Sequence, residues 1–357
     1  MGIFSNVADL LKTAQASAPS SVVGIDIGAS SIKVVELESR NNVLTLVTYG
    51  EVQLGPYTGK SLGEVVKATP KQQQEALVDV IRESAVQSRT AVFAMPLAAS
   101  FISNATFTAD EATDLGSLVR VEARKLIPAS LSEVTLDWAE LENVSSDASQ
   151  KTVLIAAIQN GAIERFNILK QFVGFADAPT EIECFSANRA VTKKANRVII
   201  DFGAASSKMY LSRNGVLQRM HRINYGGANV TEAFAKETLL SFDEAETLKI
   251  QPEPGPDTYA ALQSVYRQGY KRPLREFKQV FEDYKQHSDV VIDSVLICGG
   301  ASLFPEVKEL VKEAFDVDAV HINPFDNVAY PAFMEDTLKV IGAGFVPALG
   351  AALRLFD

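Results

Sequence analysis

The sequence predicts an α/β protein built as two related lobes, each begun by the same strand–turn–strand unit. Three observations predict it. The stretch VVGIDIGASSIKVVEL at residues 22–37 returns as VIIDFGAASSKMYL at 198–211, and both copies read Asp-(Ile/Phe)-Gly-Ala-x-Ser-x-Lys when aligned on Asp26 and Asp201. Each copy is followed by strand and helix patterns in alternation. The chain has 357 residues, more than one hydrophobic core usually serves, so two or more domains are expected.

Each copy is an apolar, β-rich run, a Gly/Ser turn and a second extended run, which is the pattern of a β-hairpin. Gly28 and Gly203 let the backbone bend sharply and come close to a ligand. The serines beside them put hydroxyl donors next to turn N–H groups, a combination suited to phosphate oxygens. Asp26 and Asp201 end their apolar runs at the turns, where a carboxylate holds the waters of a Mg²⁺ ion. One such hairpin alone is commonly just a turn. Its recurrence in both halves makes the pair a candidate phosphate site.

In chain order, residues 1–14 place Ile3, Phe4, Val7, Leu10, Leu11 and Ala14 at helical spacing. With Lys12 as the only basic residue, the attraction to anionic lipid is missing, so a helix folded on its own domain or a frayed tail is favoured over a membrane-surface or partner-docking helix. Residues 16–21 are a linker by composition. A third strand is expected at 43–52, a polar Gly/Pro loop at 55–70, and a helix at 71–87 with Ala76, Leu77, Val80, Ile81 and Ala85 on one face. Residues 90–95 form a strand stopped by Pro96.

An inserted α+β unit follows. It has a strand at 101–107 and a helix at 110–127 that runs from acidic residues to Arg124 and Lys125, as the helix dipole prefers. Strands at 134–141 and 153–158 flank a polar loop at 143–150, and a helix covers 162–173. A helix at 181–192 leads into the second hairpin. Gly226-Gly227 then feeds a helix at 229–236, and 242–249 is a short helix. A Pro/Gly loop at 251–257 precedes a long helical stretch, 259–287, interrupted near Pro273. A buried strand at 294–303 runs into Gly299-Gly300, helix 305–314 follows, and helix 346–353 closes the chain.

Composition excludes several functions. A net charge of −10 and a pI near 5.0 leave no broad basic surface for nucleic acid. Cys184 and Cys298 lie in apolar segments and read as buried thiols of a reducing compartment. The late apolar run 340–353 is short for a bilayer and broken by Pro347. No signal peptide is recognisable, and Asn6 stands where a myristoylation signal has Ser or Thr, so a cytosolic protein is expected. Neither a P-loop nor a strand-borne G-x-G-x-x-G occurs. His221, His287 and His321 lack metal spacing, and no nucleophile–base triad is recognisable. Gly299-Gly300 suits a backbone lying flat against a purine or its ribose. Glu246 and Lys249, three apart on one helix, read by spacing alone as a surface ion pair.

These motifs resemble the actin-like ATPase superfamily of actin, MreB, FtsA, DnaK-type chaperones and sugar kinases. Within it they are most similar to the PilM family of type IV pilus assembly proteins. Residues 24–37 look like the first phosphate loop, 200–207 the second, and 297–303 the adenosine motif. ECFSANR at 183–189 and VPALGAALR at 346–354 match the two interdomain connecting helices. MGIFSN, GIDIGASSIKVVEL, EARKLIPASLSEVTLDW, GGANVTEAF, EAETLK and NPFDNV are the more specific likenesses.

The resemblance implies duplicated ribonuclease-H-like lobes with an inserted 1C subdomain of the FtsA/PilM type. Residues 1–20 would be a tail. Subdomain 1A would span 21–92 and 174–195 with the helix at 346–357, and 1C would span 93–173. Subdomain 2A would span 196–225 and 291–345, and 2B would span 226–290. It implies that Asp26 and Asp201 position Mg²⁺ through water. Gly28, Ala29, Ser30, Ser31 and Lys33, with Gly203, Ala204, Ala205, Ser206 and Ser207, would hold the phosphates of ATP. Gly226, Gly227, Glu246, Lys249, Gly299, Gly300 and Ser302 would surround the adenosine, and Glu183 falls where MreB-like members orient the attacking water. The chain departs from relatives in Ser207 for Thr, in Pro305 for Gly, and in a longer loop at 55–70.

The same resemblance implies a cytoplasmic scaffold with slow ATP hydrolysis or none. It would recruit the N-terminal cytoplasmic peptide of a PilN-like membrane protein in a nucleotide-dependent way, in a groove between 1A and 1C. Self-association into a dimer, ring or filament, and contacts with other platform proteins and motor ATPases, are further partners it implies; the inner membrane would be reached only indirectly. Two alternatives carry the same fold. A filament-forming FtsA/MreB-like membrane ATPase should have a basic amphipathic helix where this chain ends at Arg354-Leu355-Phe356-Asp357. A small-molecule kinase needs a catalytic Asp for which the insert offers no clear candidate.

Overall fold

The first copy of the repeat folds as β1 (Ser21–Ile27) and β2 (Ser31–Arg40), antiparallel, with Asp26 opposite Lys33. The computed structural model describes residues 19–108, 114–141, 149–175, 179–191, 195–251, 255–286, 291–292 and 294–356, so the helix expected at 1–14 and His287 lie outside them. β3 (Val43–Gln53) pairs antiparallel with β2. Helix α1 (Pro70–Glu83) then carries the chain to β4 (Ala91–Met95), parallel to β1. Thr69 and Gln72 close a capping box that starts α1. The helix stops short of residue 87 because Ala85 takes a φ of 52°, in the left-handed region that cannot continue it.

The insert is a three-stranded antiparallel sheet in the order β5-β7-β6, from β5 (Ser100–Thr108), β6 (Val134–Glu140) and β7 (Gln150–Gln159). Helices α2 (Leu115–Leu126) and α3 (Asn160–Val173) accompany it. Val119, Ala123, Val153 and Ile155 give it a small core of its own. Asp114 caps α2 by accepting from the Ser117 N–H; the acidic start expected at 110–113 lies outside the described residues. The chain returns to the first sheet through β8 (Glu181–Ile182), parallel to β4, and enters α4 (Glu183–Ala190). The single helix expected from residue 181 is thus a strand and a helix, because the edge of β4 offers a parallel partner to its first two residues.

The second half repeats the first. β9 (Arg197–Phe202), β10 (Ser207–Arg213) and β11 (Val216–Ile223) form the antiparallel part, with Asp201 opposite Lys208. Three helices follow, α5 (Gly227–Thr238), α6 (Phe242–Lys249) and α7 (Pro256–Lys285). Then β12 (Ser294–Cys298), α8 (Pro305–Phe315) and β13 (Asp318–His321) complete the lobe. The sheets run β3-β2-β1-β4-β8 and β11-β10-β9-β12-β13, two antiparallel pairings then two parallel ones in each. Helix α7 is not interrupted at Pro273. Buried Tyr270, Pro273, Leu274 and Phe277 seat that turn in the core, and their packing outweighs the roughly 3 kcal/mol that an interior proline costs.

Helices α9 (Glu335–Ile341) and α10 (Val346–Leu353) end the described chain. Short turns join them into Ala332–Leu353, 22 residues that by length and composition could cross a membrane, although 61% of its most apolar window is buried. That stretch is longer than the run at 340–353 because α9 adds to it. α10 lies between β1 and α4 at minimal distance: a Cβ on Gly24 would fall 1.9 Å from the Ala348 carbonyl oxygen, and one on Gly350 would fall 1.9 Å from that of Ser186. A buried ion cluster locks the same region. Glu181, 1% exposed, accepts from Arg189 Nη2 (2.9 Å), Arg354 Nη1 (2.8 Å) and Ser186 Oγ (2.7 Å).

Two predictions follow from this packing. Gly350→Ala forces α10 off α4 and lowers stability by roughly 1–3 kcal/mol, read from urea unfolding. Cys184 and Cys298 are buried and unpaired, and burial pushes both thiols well above their ordinary value. A thiol reagent at pH 8 should leave both untouched in the native protein and label both after unfolding.

Candidate phosphate-binding cleft between the lobes

A cleft of about 390 Å³ opens between the two sheets, and the duplicated turns face each other across it. The turns are closed alike: Gly28 N–H donates to the Ser31 carbonyl (2.9 Å), and Gly203 N–H to that of Ser206 (3.1 Å). Gly28, Ala29, Ser30, Ser31 and Lys33 line one side, and Gly203, Ala204, Ala205 and Ser206 the other. Gly227, Glu246, Lys249, Gly299 and Gly300 form a further wall, and Asp26, Asp201 and Glu183 form the floor. The second turn also braces a helix, since the N–H groups of Gly227 and Ala228 donate to the carbonyls of Gly203 and Ala204 (2.9 and 3.0 Å).

Three residues expected in the site stand behind its wall instead. Ser207 is fully buried and its hydroxyl donates to the Tyr225 carbonyl (2.8 Å). Ser302 is likewise buried and donates to the Gly299 carbonyl (2.7 Å). Gly226 donates to Asn229 Oδ1 (3.0 Å), its α-carbon set against the Ala204 carbonyl. These hydrogen bonds shape the turns; none of the three side-chain positions reaches the cleft. Strand alternation explains Ser207, which points to the opposite face from Lys208.

The floor gathers charge from separate parts of the chain. Lys208 Nζ lies 3.0 Å from Asp201 Oδ2 and 2.7 Å from Glu183 Oε2. Burial alone would lower the Lys208 ammonium, but Asp201 and Glu183 outweigh it and hold the group well above its ordinary value. The other Glu183 oxygen accepts from the Leu97 N–H (2.6 Å). The Asp26 carboxylate makes no hydrogen bond or direct ion pair among the described residues. Loss of water pushes its carboxyl up to about 7, and the Glu183 charge adds to the effect. Its strand partner Lys33 turns aside to Glu51 (3.0 Å) and Ser31 Oγ (2.8 Å).

Glu246 and Lys249 are not a surface pair. They meet at 2.6 Å with side chains 10% and 9% exposed, and Lys249 also donates to Thr231 Oγ1 (2.7 Å). Sequence reasoning missed Lys208, although the repeat itself aligns it with Lys33. It also missed the loop at 55–70 as a cleft element. Leu62 and Gly63 line the cleft, and Gly63 abuts the Glu246 carboxylate of the opposite lobe. The loop is pinned to the first turn by Val66 N–H to the Ala29 carbonyl (3.0 Å) and Leu54 N–H to that of Ser30 (2.7 Å). Glu51, Gln53 and Arg222 reach the cleft without any local motif to mark them. Among the described residues, no group of three or more His, Cys, Asp or Glu side chains is arranged to hold a metal on its own. His321 bonds the Ser302 carbonyl and His221 approaches Glu276, so neither takes part.

Twin sheets of identical topology with paired phosphate-type turns between them define a two-lobed, actin-like ATPase fold. The chain belongs to the family described as type IV pilus assembly protein PilM, whose family model matches residues 24–356. Among solved structures it is similar to a PilM-PilN type IV pilus biogenesis complex, at 23% identity over 95% of this chain and 99% of the other, with a TM-score of 0.78. It is also similar to the ethanolamine utilization protein EutJ from Carboxydothermus hydrogenoformans (14% identity, 94% and 90% covered, TM-score 0.57). A nucleotide-free diol dehydratase-reactivating factor matches at 12% identity (95% and 100% covered, TM-score 0.54). These three likenesses are likenesses of fold.

The unpaired Asp26 carboxylate yields a stability prediction. Its folded value, about 7, lies above the ordinary 3.8, so ionisation costs the folded protein stability. That cost is absent below about pH 4 and complete above about pH 7. Asp26→Asn should therefore stabilise the nucleotide-free protein at pH 8, by about 1 kcal/mol or more, and leave it unchanged at pH 4, as urea unfolding at the two pH values will show.

Proposed function

We propose that this cleft binds ATP with Mg²⁺, and that the bound nucleotide sets the protein as a cytoplasmic platform in type IV pilus assembly. The observation that carries the reading is the pair of equivalent turns facing each other across one cleft, each with N–H groups, serine hydroxyls and a lysine. Such a pair suits one chain of phosphates held from both lobes. Gly299, Gly300, Glu246 and Lys249 line the side left for the adenosine. The donor set fits a divalent cation held through water, because the Asp26 carboxylate takes no hydrogen bond among the described residues and Asp201 lines the floor with it. The ion would neutralise phosphate charge and would answer the charge that burial makes costly on Asp26.

ATP that touches both turns favours the arrangement in which both can touch it, and this differential affinity is all that lobe closure requires. In the subdomain terms of actin-like proteins, 21–92, 174–195 and 346–357 form 1A, and 93–173 form 1C. Residues 196–225 and 291–345 form 2A, and 226–290 form 2B. The partner is the N-terminal cytoplasmic peptide of a PilN-like membrane protein, docked between 1A and 1C. That partner supplies the link to the inner membrane. Membership of a pilus assembly family and the shared fold of a PilM-PilN complex support this assignment.

The test is a titration of Mg-ATP-loaded protein with that peptide, using the PilN-like protein of the same organism. Wild type should bind saturably. Asp201→Ala, losing nucleotide, should bind roughly tenfold or more weakly, about 1.4 kcal/mol. Absence of binding in folded, ATP-loaded protein would overturn the assignment.

A further inference from the structure

We infer that Arg222 takes the terminal phosphate of the nucleotide and makes the cleft prefer a triphosphate to a diphosphate. This deepens the reading of the cleft as a nucleotide site and rests on it. The two lobes set equivalent residues in a row across their hairpins. In the first lobe Asp26 stands opposite Lys33, and Lys33 opposite Glu51. In the second Asp201 stands opposite Lys208, and Lys208 opposite Arg222. The third place in the row is thus an acid in one lobe and a base in the other. Directly opposed residues of an antiparallel pair share a face of the sheet, so Arg222 faces the cleft with Lys208 and lines it. Its neighbour His221 faces the other way, against Phe277 of α7 (ring centroids 6.0 Å apart).

The exchange of sign decides which cation is left for a ligand. Among the described residues, the basic side chains that line the cleft are Lys33, Lys208, Lys249 and Arg222. Glu51 holds Lys33 (3.0 Å), Asp201 and Glu183 hold Lys208 (3.0 and 2.7 Å), and Glu246 holds Lys249 (2.6 Å). Half-buried Arg222 makes no hydrogen bond or ion pair among the described residues. Like charges directly opposite each other on a sheet are unfavourable, and an anion seated over Lys208 and Arg222 removes that repulsion. The planar guanidinium presents parallel N–H donors that match two oxygens of one phosphate. The place of Arg222 selects which phosphate. Cys298, next to Gly299 of the adenosine wall, stands opposite Asp201 in the same row. Three strand spacings, roughly 14 Å, separate that end of the row from Arg222. The guanidinium therefore stands at the end away from the adenosine and meets the last phosphate of the chain, which a diphosphate lacks.

The test compares two nucleotides. Binding of ADP and of the β,γ-imido analogue of ATP, which resists cleavage, is measured by equilibrium dialysis with Mg²⁺ for wild type, Arg222→Gln and Arg222→Lys. Wild type should hold the triphosphate analogue roughly tenfold or more tightly than ADP. Arg222→Gln should weaken the analogue roughly ten- to a hundredfold, the worth of a charged hydrogen bond, and leave ADP within about twofold. Arg222→Lys keeps the charge without the fork and should fall between. Urea unfolding of the nucleotide-free protein should show neither variant less stable than wild type, so that lost affinity reports a lost contact. A loss of equal size for both nucleotides, no loss for either, or a destabilised fold would overturn the inference and leave the nucleotide site standing. Failure of wild type to bind either nucleotide would overturn the nucleotide reading and this inference with it.

Discussion

Much of this structure turns on one ammonium. Lys208 stands between the carboxylates of Asp201 and Glu183, and with Asp26 these groups make up the cleft floor. Asp26 comes from the first lobe, Asp201 and Lys208 from the second, and Glu183 from the helix that crosses between them. Three carboxylates brought out of water with no cation among them would oppose folding. Removing one partner from a buried pair commonly costs about 3–5 kcal/mol, because a bare charge remains. Lys208 pairs directly with two of the three, while the Asp26 carboxylate has no direct ion pair among the described residues. Lys33 and Lys208 both act on Asp26 by charge, yet burial and the Glu183 charge still push its carboxyl up to about 7.

The floor keeps its shape because the elements beneath it are fixed by close packing. Glu183 is the first residue of α4, and the residue two before it, Glu181, is clamped by Arg189, Arg354 and Ser186. α10 lies against α4 on one side and β1 on the other with no room for an added methyl at Gly24 or Gly350. The strand that carries Asp26 and the helix that begins with Glu183 are therefore set by one buried helix. The loop pinned to the first turn adds a contact at the other end of the cleft, where Gly63 meets Glu246. First-turn backbone and second-lobe wall are in direct mechanical contact through it.

Most of the architecture was legible because it is written twice. The repeated Asp-x-Gly-Ala-x-Ser-x-Lys pattern located both hairpins and, through them, both turns and both floor aspartates. The short helices α6 and α10 were also expected at their observed limits. The errors fall where local pattern yields to tertiary context. Pro273 does not break α7 because its turn is anchored in the core, and Glu181–Ile182 is a strand because β4 offers it an edge. Ser207, Gly226 and Ser302 share the motif's residue types but serve its hydrogen bonding from behind. Lys208 was visible in the alignment of the two copies, yet its partner Glu183 comes from another element, and no spacing rule joins them. The cleft role of the loop at 55–70 had no sequence signal beyond its glycines and prolines, because contact across lobes leaves no local periodicity.

The central claim is that the two turns act on one ligand. Hydrogen-exchange mass spectrometry with and without Mg-ATP tests it most directly, since each turn reports separately. The account predicts that amides at 28–31 and at 203–206 slow together, over the same range of ATP concentration. Protection confined to one turn, or absent from both at saturating ATP, would contradict it.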